Sequence, residues 1–149
     1  MKLNYDGQEQ IQANYDKVWT FINDPRKVGR CLPNVEQIDV TSDRSFSALV
    51  SVGVGPVRGK FKFDVQLEPQ PENHKMLLKL KGNGLGTAID LAADANLDTF
   101  NGITSLNWQG EADVRGPAAT IGPRILDKKA KALIAHVFSQ VKNNVNAIA

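Results

Sequence analysis

The stretch SVGVGPVRGKFKF sets Gly53, Gly55 and Gly59 ahead of Lys60. Glycines before a lysine are one way a backbone loop cradles a phosphate. The spacing does not sustain that chemistry. A P-loop, G-x-x-x-x-G-K-[ST], needs glycine where Val54 stands and a hydroxyl where Phe61 stands. A dinucleotide fingerprint, G-x-G-x-x-G, needs glycine in place of Arg58. No helical pattern follows either. The stretch reads as two strands joined at Gly55-Pro56, its glycines shaping a bend or bulge.

Acid–base candidates are sparse. His74 falls in a loop and His136 on a helix, with no nucleophile at a recognisable spacing from either. Asp90 and Asp94 share the wet face of one strand, where they solubilise; a cyclase or hydrolase on a similar fold would use such a carboxylate. Cys31 is alone, which excludes an internal disulfide and a cysteine zinc cluster, and no other metal-ligand cluster is present in the sequence. Aromatic residues are the stronger site candidates. Phe46, Phe61, Phe63 and Trp108 fall on inward strand positions with Leu80, and Trp19 lies on the first helix near the rim. Leu133, Val137 and Phe138 supply a helical side. Each alone fits core packing; together they fit a largely apolar pocket for a flat hydrophobic ligand.

These side chains depend on elements that periodicity predicts. Leu3, Tyr5 and Ile11 suggest an opening strand. Asn14 caps a short helix burying Val18, Phe21 and Ile22, and Asp24-Pro25 starts a second that ends before Leu32-Pro33. From Phe46 to Val114 apolar residues recur at every second position, as in an antiparallel meander with one buried face. Breaks fall at Gly55-Pro56, Pro69 to Asn73, Gly82 to Gly86, and Asn101-Gly102. After Gly122-Pro123 the period becomes helical: Leu126, Ala130, Leu133, Ile134, Val137, Phe138, Val141, Val145 and Ile148 form one apolar stripe. Such a helix, about 39 Å long, crosses the whole sheet. The expected fold is α+β: a curved antiparallel sheet wrapped on a long C-terminal helix, with two short helices after the first strand, the helix-grip arrangement. A helix and sheet that do not fully close leave a cavity between them.

The 149 residues read as one domain, 1–149, with 42% hydrophobic and 23% charged residues. A net charge of +2 argues against nucleic acid as a partner. The N-terminus lacks an apolar signal core and no run reaches a membrane span, so a reducing, cytoplasmic location is expected. Charge is uneven, however. Residues 124–149 carry Arg124, Lys128, Lys129, Lys131 and Lys142 against Asp127 alone, a formal +4 that leaves −2 for the remainder. With Arg58, Lys60, Lys62 and Arg115 near the glycine-rich turn, these cations form a candidate rim for an acidic partner or anionic headgroups. As a plainer alternative, the lysines are the solvated outer face of a helix already packed on the sheet.

Several motifs carry a resemblance that runs nearly end to end: Lys17-Val18-Trp19, Asn23-Asp24-Pro25, Cys31-Leu32-Pro33, the run VGVGPVRGKF from Val52 to Phe61, and IGPRILD from Ile121 to Asp127. On these the chain resembles the CoxG family, the G subunits of carbon monoxide dehydrogenase, within the START/Bet v 1-like (SRPBCC) helix-grip superfamily. It departs at Asn34, where the family usually has glycine, and in residues 82–98, which replace a Gly/Ala-rich segment. The resemblance implies a non-enzymatic accessory protein with a hydrophobic ligand, a quinone, in the cavity and no covalent cofactor. It also implies a partner, a carbon monoxide dehydrogenase-type molybdenum hydroxylase, and a place at the inner face of the cytoplasmic membrane. The rival readings are a catalytic helix-grip domain of the polyketide cyclase or hydrolase kind, and a pure protein-interaction module with a filled core.

Overall fold

A computed structural model describes residues 1–54, 57–117, 119 and 122–148. The chain opens with β1 (Lys2–Ile11), then α1 (Tyr15–Ile22) and α2 (Pro25–Gly29). Both helices start as the capping residues dictate. The Asn14 side chain accepts from the Lys17 amide at 3.0 Å, and the Asp24 carboxylate accepts from the Arg26 and Lys27 amides at 3.0 and 3.3 Å. Six strands follow: β2 (Val35–Ser42), β3 (Ser45–Val54), β4 (Val57–Gln70), β5 (Lys75–Gly84), β6 (Thr87–Phe100) and β7 (Ile103–Arg115). The chain then ends in α3 (Pro123–Ile148). All seven strands form one antiparallel sheet in the order β1-β7-β6-β5-β4-β3-β2, so β1 returns beside the last strand of a meander. This is the helix-grip architecture.

The structure revises several boundaries. Strand β2 is an edge strand that the sequence barely signals, because register shifts between Val35 and Gln37 and between Val40 and Ser42 break its alternation. The expected break at Gly82 to Gly86 is shorter, since Gly82 and Gly84 continue β5. They are glycines because aromatic rings from β4 lie across them. A Cβ on Gly82 would sit 2.5 Å from the Phe63 ring, and one on Gly84 would sit 2.6 Å from the Phe61 ring. The turn itself is Leu85-Gly86, both left-handed (φ 53° and 75°), as is Asn101-Gly102 between β6 and β7 (φ 52° and 77°). Gly53 and Gly59 make no bulge, for β3 and β4 pair there in regular register. Gly59 instead makes room for the Leu85 side chain, which would lie 2.9 Å from an added Cβ. The expected Gly55-Pro56 turn lies outside the described residues. Asn34 adopts φ 56°, the left-handed conformation that asparagine tolerates.

The helix α3 grips the sheet at its two ends. Near its start, Leu126 packs with Leu3, Tyr5, Ala112 and Val114. Toward its C-terminus, Val141 and Val145 join the main core of Ile11, Val18, Phe21 and Phe46. Between these anchors Leu133, Ile134, Val137 and Phe138 are only half-buried. They face a space instead of a wall.

Candidate functional site: a cavity between sheet and helix

That space is a cavity of about 280 Å³, just below the usual range of about 300–1,000 Å³ for ligand sites. Phe46, Phe61, Phe63, Leu80 and Trp108 line it from the sheet, and Leu133, Val137 and Phe138 line it from α3. The alternation of each strand and the apolar stripe of α3 bring these eight expected residues together. Small residues at Ala93, Gly110 and Ala112 on β6 and β7 leave the volume open.

Trp19 stands elsewhere. Val18, Phe21 and Ile22 take the buried face of α1, which turns Trp19 to the flank, where it stacks on Tyr15 one turn earlier at 5.6 Å. There it borders an open surface groove with Thr20, Asn23 and Val40. Its helical phase relative to Val18 was the signal that would have placed it.

Trp108 anchors the cavity wall. Its ring stacks on Phe138 at 4.0 Å between centroids, 13° from parallel. The ring also lies against the backbone of Gly7, its register partner in β1. Two buried polar side-chain atoms among the described residues have no hydrogen-bond partner, Trp108 Nε1 and Tyr5 Oη. Both residues line the cavity. An unsatisfied buried donor costs about 1–3 kcal/mol. Burial, and then the nearby Asp127 carboxylate, push the Tyr5 pKa up to about 12, so the phenol stays protonated. Asp127, the acceptor nearest the phenol, also pairs with Lys131 at 3.1 Å. Tyr5 was not among the expected site residues, because an inward tyrosine on a strand reads as core.

The expected acid–base groups lie outside this space. Asp90 pairs with Arg115 at 2.6 Å, both half-exposed, and Asp94 accepts from Gln109 at 3.2 Å. His136 is exposed on α3, and His74 is exposed at the end of a 3-10 turn, 4.9 Å from the Tyr15 ring. Cys31 is fully buried, its thiol pushed up to about 11 by burial, unlike a reactive cysteine. No group of residues able to hold a metal occurs among those described.

The basic rim is only partly free. Lys60 pairs with Glu36 at 3.4 Å, Lys131 with Asp127, and Arg115 with Asp90 and Asp113. Arg58, Lys62, Arg124 and Lys128 are exposed, while Lys129 is half-buried and lines the cavity. No helix among the described residues is long and apolar enough to cross a membrane.

Known structures share this architecture at low identity. A conserved protein from Geobacillus kaustophilus superposes with a TM-score of 0.85 at 22% identity, over 96% of this chain and 95% of that one. A START superfamily protein from Mycobacterium smegmatis gives 0.74 at 10% identity, over 98% and 99%. The Zhui aromatase/cyclase from Streptomyces sp. R1128 gives 0.66 at 13% identity, over 99% and 93%. At these identities the likeness is one of fold. No curated protein sequence matches the chain. The family model for CoxG, the G subunit of carbon monoxide dehydrogenase, matches residues 7–146, from the glycine beneath Trp108 to the last turns of the gripping helix. With six of the seven strands, every quoted motif and all but the outer ends of β1 and α3 inside that span, the chain belongs to the CoxG family.

Proposed function

We propose that this protein is a non-enzymatic accessory protein that holds a hydrophobic small molecule, a quinone, in the cavity between the sheet and α3. In this reading it serves a carbon monoxide dehydrogenase-type molybdenum hydroxylase at the inner face of the cytoplasmic membrane. The observation that carries the reading is the cavity itself. Its walls are mostly apolar side chains such as Phe, Leu, Val and Trp, and α3 is anchored on either side of it, so the space is built into the fold. The stacked pair Trp108 and Phe138 offers a flat aromatic wall suited to a planar ring. When bound, a quinone supplies two-electron redox chemistry; the protein supplies a dry enclosure for it. Membership of the CoxG family supports the choice of partner.

Native mass spectrometry and organic extraction of the purified protein test the ligand. A co-purifying isoprenoid quinone or similar lipid is expected. Loss of the reading would follow from a ligand-free protein whose melting temperature does not rise with added menaquinone or related hydrophobes. The exposed cations Arg58, Lys62, Arg124 and Lys128 favour contact with anionic headgroups. Pelleting with phosphatidylglycerol vesicles should therefore weaken several-fold between low and physiological salt. Pelleting that ignores salt would sink lysine- and arginine-driven contact.

A second reading, catalysis in the same cavity, draws on one observation: Tyr5 and Lys129 are titratable side chains on its lining. Under that reading Lys129→Ala abolishes a turnover, whereas a pure binding module has none to lose.

A further inference from the structure

We infer that Lys129 makes this cavity selective for an aliphatic amphiphile with a carboxylate head, the chain in the apolar interior and the head at the mouth beside the ammonium. The inference rests on the cavity being a binding site, and not on its ligand being a quinone. Lys129 is the one charged residue on a lining that is otherwise mostly apolar. Lys131 and Lys142 on the same helix have acid partners, Asp127 at 3.1 Å and Glu9 at 3.9 Å. Lys129 is half-buried and has no ion pair or hydrogen bond among the described residues. A partly buried cation is stabilised by an anion, and here the chain supplies none.

The mouth can be located. Asn34 and Ser51 are the only exposed residues on the lining, so the cavity opens beside them. They adjoin where the loop before β2 meets β3, the Ser51 amide donating to the Asn34 carbonyl at 3.1 Å. Helical phase turns Lys129 to the same side. At about 100° per residue, Ile134 and Phe138 lie on one flank of the inward stripe of α3 and Lys129 on the other. Ile134 packs with residues of β1 and β7, and Phe138 stacks on Trp108 of β7. The flank with Lys129 therefore faces away from β1 and β7, toward β3 and the mouth. A lysine stem lies along apolar surface while its ammonium turns to the wet edge, which sets the charge at the opening. Asp127, the acid near Tyr5, is on the flank opposite Lys129 and pairs with Lys131. One unpaired lysine balances one negative charge. A carboxylate carries one, whereas a phosphate monoester carries about 1.5–2. A neutral head on the same chain leaves the interior equally filled and forgoes the ion pair.

The test compares decanoate with decanol, which has the same chain and a neutral head. Calorimetric titration of the full chain at neutral pH should show decanoate bound about tenfold more tightly. Lys129→Met keeps an unbranched side chain and removes the charge; it should lower decanoate affinity about tenfold and leave decanol affinity unchanged. Lys129→Arg keeps the charge and should retain most of the preference for decanoate. Equal affinity for the two probes, or a Lys129→Met protein that holds decanoate as tightly as wild type, overturns the inference and leaves the cavity reading standing. Binding of neither probe overturns it too, and the cavity reading with it if menaquinone also leaves the melting temperature unchanged.

Discussion

Gly7→Ala should destabilise the protein by about 1–3 kcal/mol, a fall of about 3–10 °C in melting temperature, although it adds a single methyl group. A Cβ built on Gly7 lies 2.0 Å from Trp108 Cζ2, 2.5 Å from Cη2 and 2.6 Å from Cε2. The indole is also stacked on Phe138 at 4.0 Å between centroids, so moving it disturbs that pair. Either β1 shifts from β7, or the ring swings out and drives Phe138 and α3 with it. Gly53→Ala is the control. Its nearest atom is Arg58 Cγ at 3.6 Å, an ordinary contact, so that variant should be neutral or slightly stabilised as the unfolded chain loses freedom. Thermal melts give the ranking, and near-ultraviolet circular dichroism reports whether the Trp108–Phe138 stack survives. A Gly7→Ala protein as stable as wild type, with that signal intact, would contradict this packing.

Gly7 also marks where the sequence stops being informative. Alternation at Phe61, Phe63 and Val65, or at Leu106, Trp108 and Gly110, is a one-dimensional signal that survives translation into a sheet, so most strands and their inward faces were legible. The helical stripe of α3 and the caps Asn14 and Asp24 were legible for the same local reason. What was not legible depends on two elements meeting. Gly82 and Gly84 look like turn residues until Phe63 and Phe61 are seen lying across them. Strand β2 loses its period to irregular pairing with β3. Inward Leu, Val and Phe residues look the same whether the core is filled or hollow. Only the distance at which Leu126, Val141 and Val145 hold α3 from the sheet decides that. The small residues Ala93, Gly110 and Ala112 were visible as inward positions, but their consequence, an open space beside Tyr5, needs β1 alongside β7.

Ala130→Phe should abolish ligand retention while leaving the protein folded. Ala130 lies on α3 between Leu126, which is anchored against the sheet, and Leu133, which faces the cavity; it lines the cavity itself and is half-buried. A phenylalanine there directs its ring into a space of about 280 Å³ that a ligand also requires, so the two compete for the same volume. Affinity should fall at least about a hundredfold, roughly 3 kcal/mol. Stability should change far less. Replacing alanine in a helix costs about 0.5 kcal/mol in propensity, and burying part of a ring against apolar walls offsets it at about 25 cal/mol per Å². The melting temperature should stay within a few degrees of wild type, in contrast to Gly7→Ala, where no void receives the added atom. Native mass spectrometry of Ala130→Phe should show the bare chain where wild type carries an extra mass. If the variant melts like wild type and still carries that mass, the ligand sits outside the space between sheet and helix.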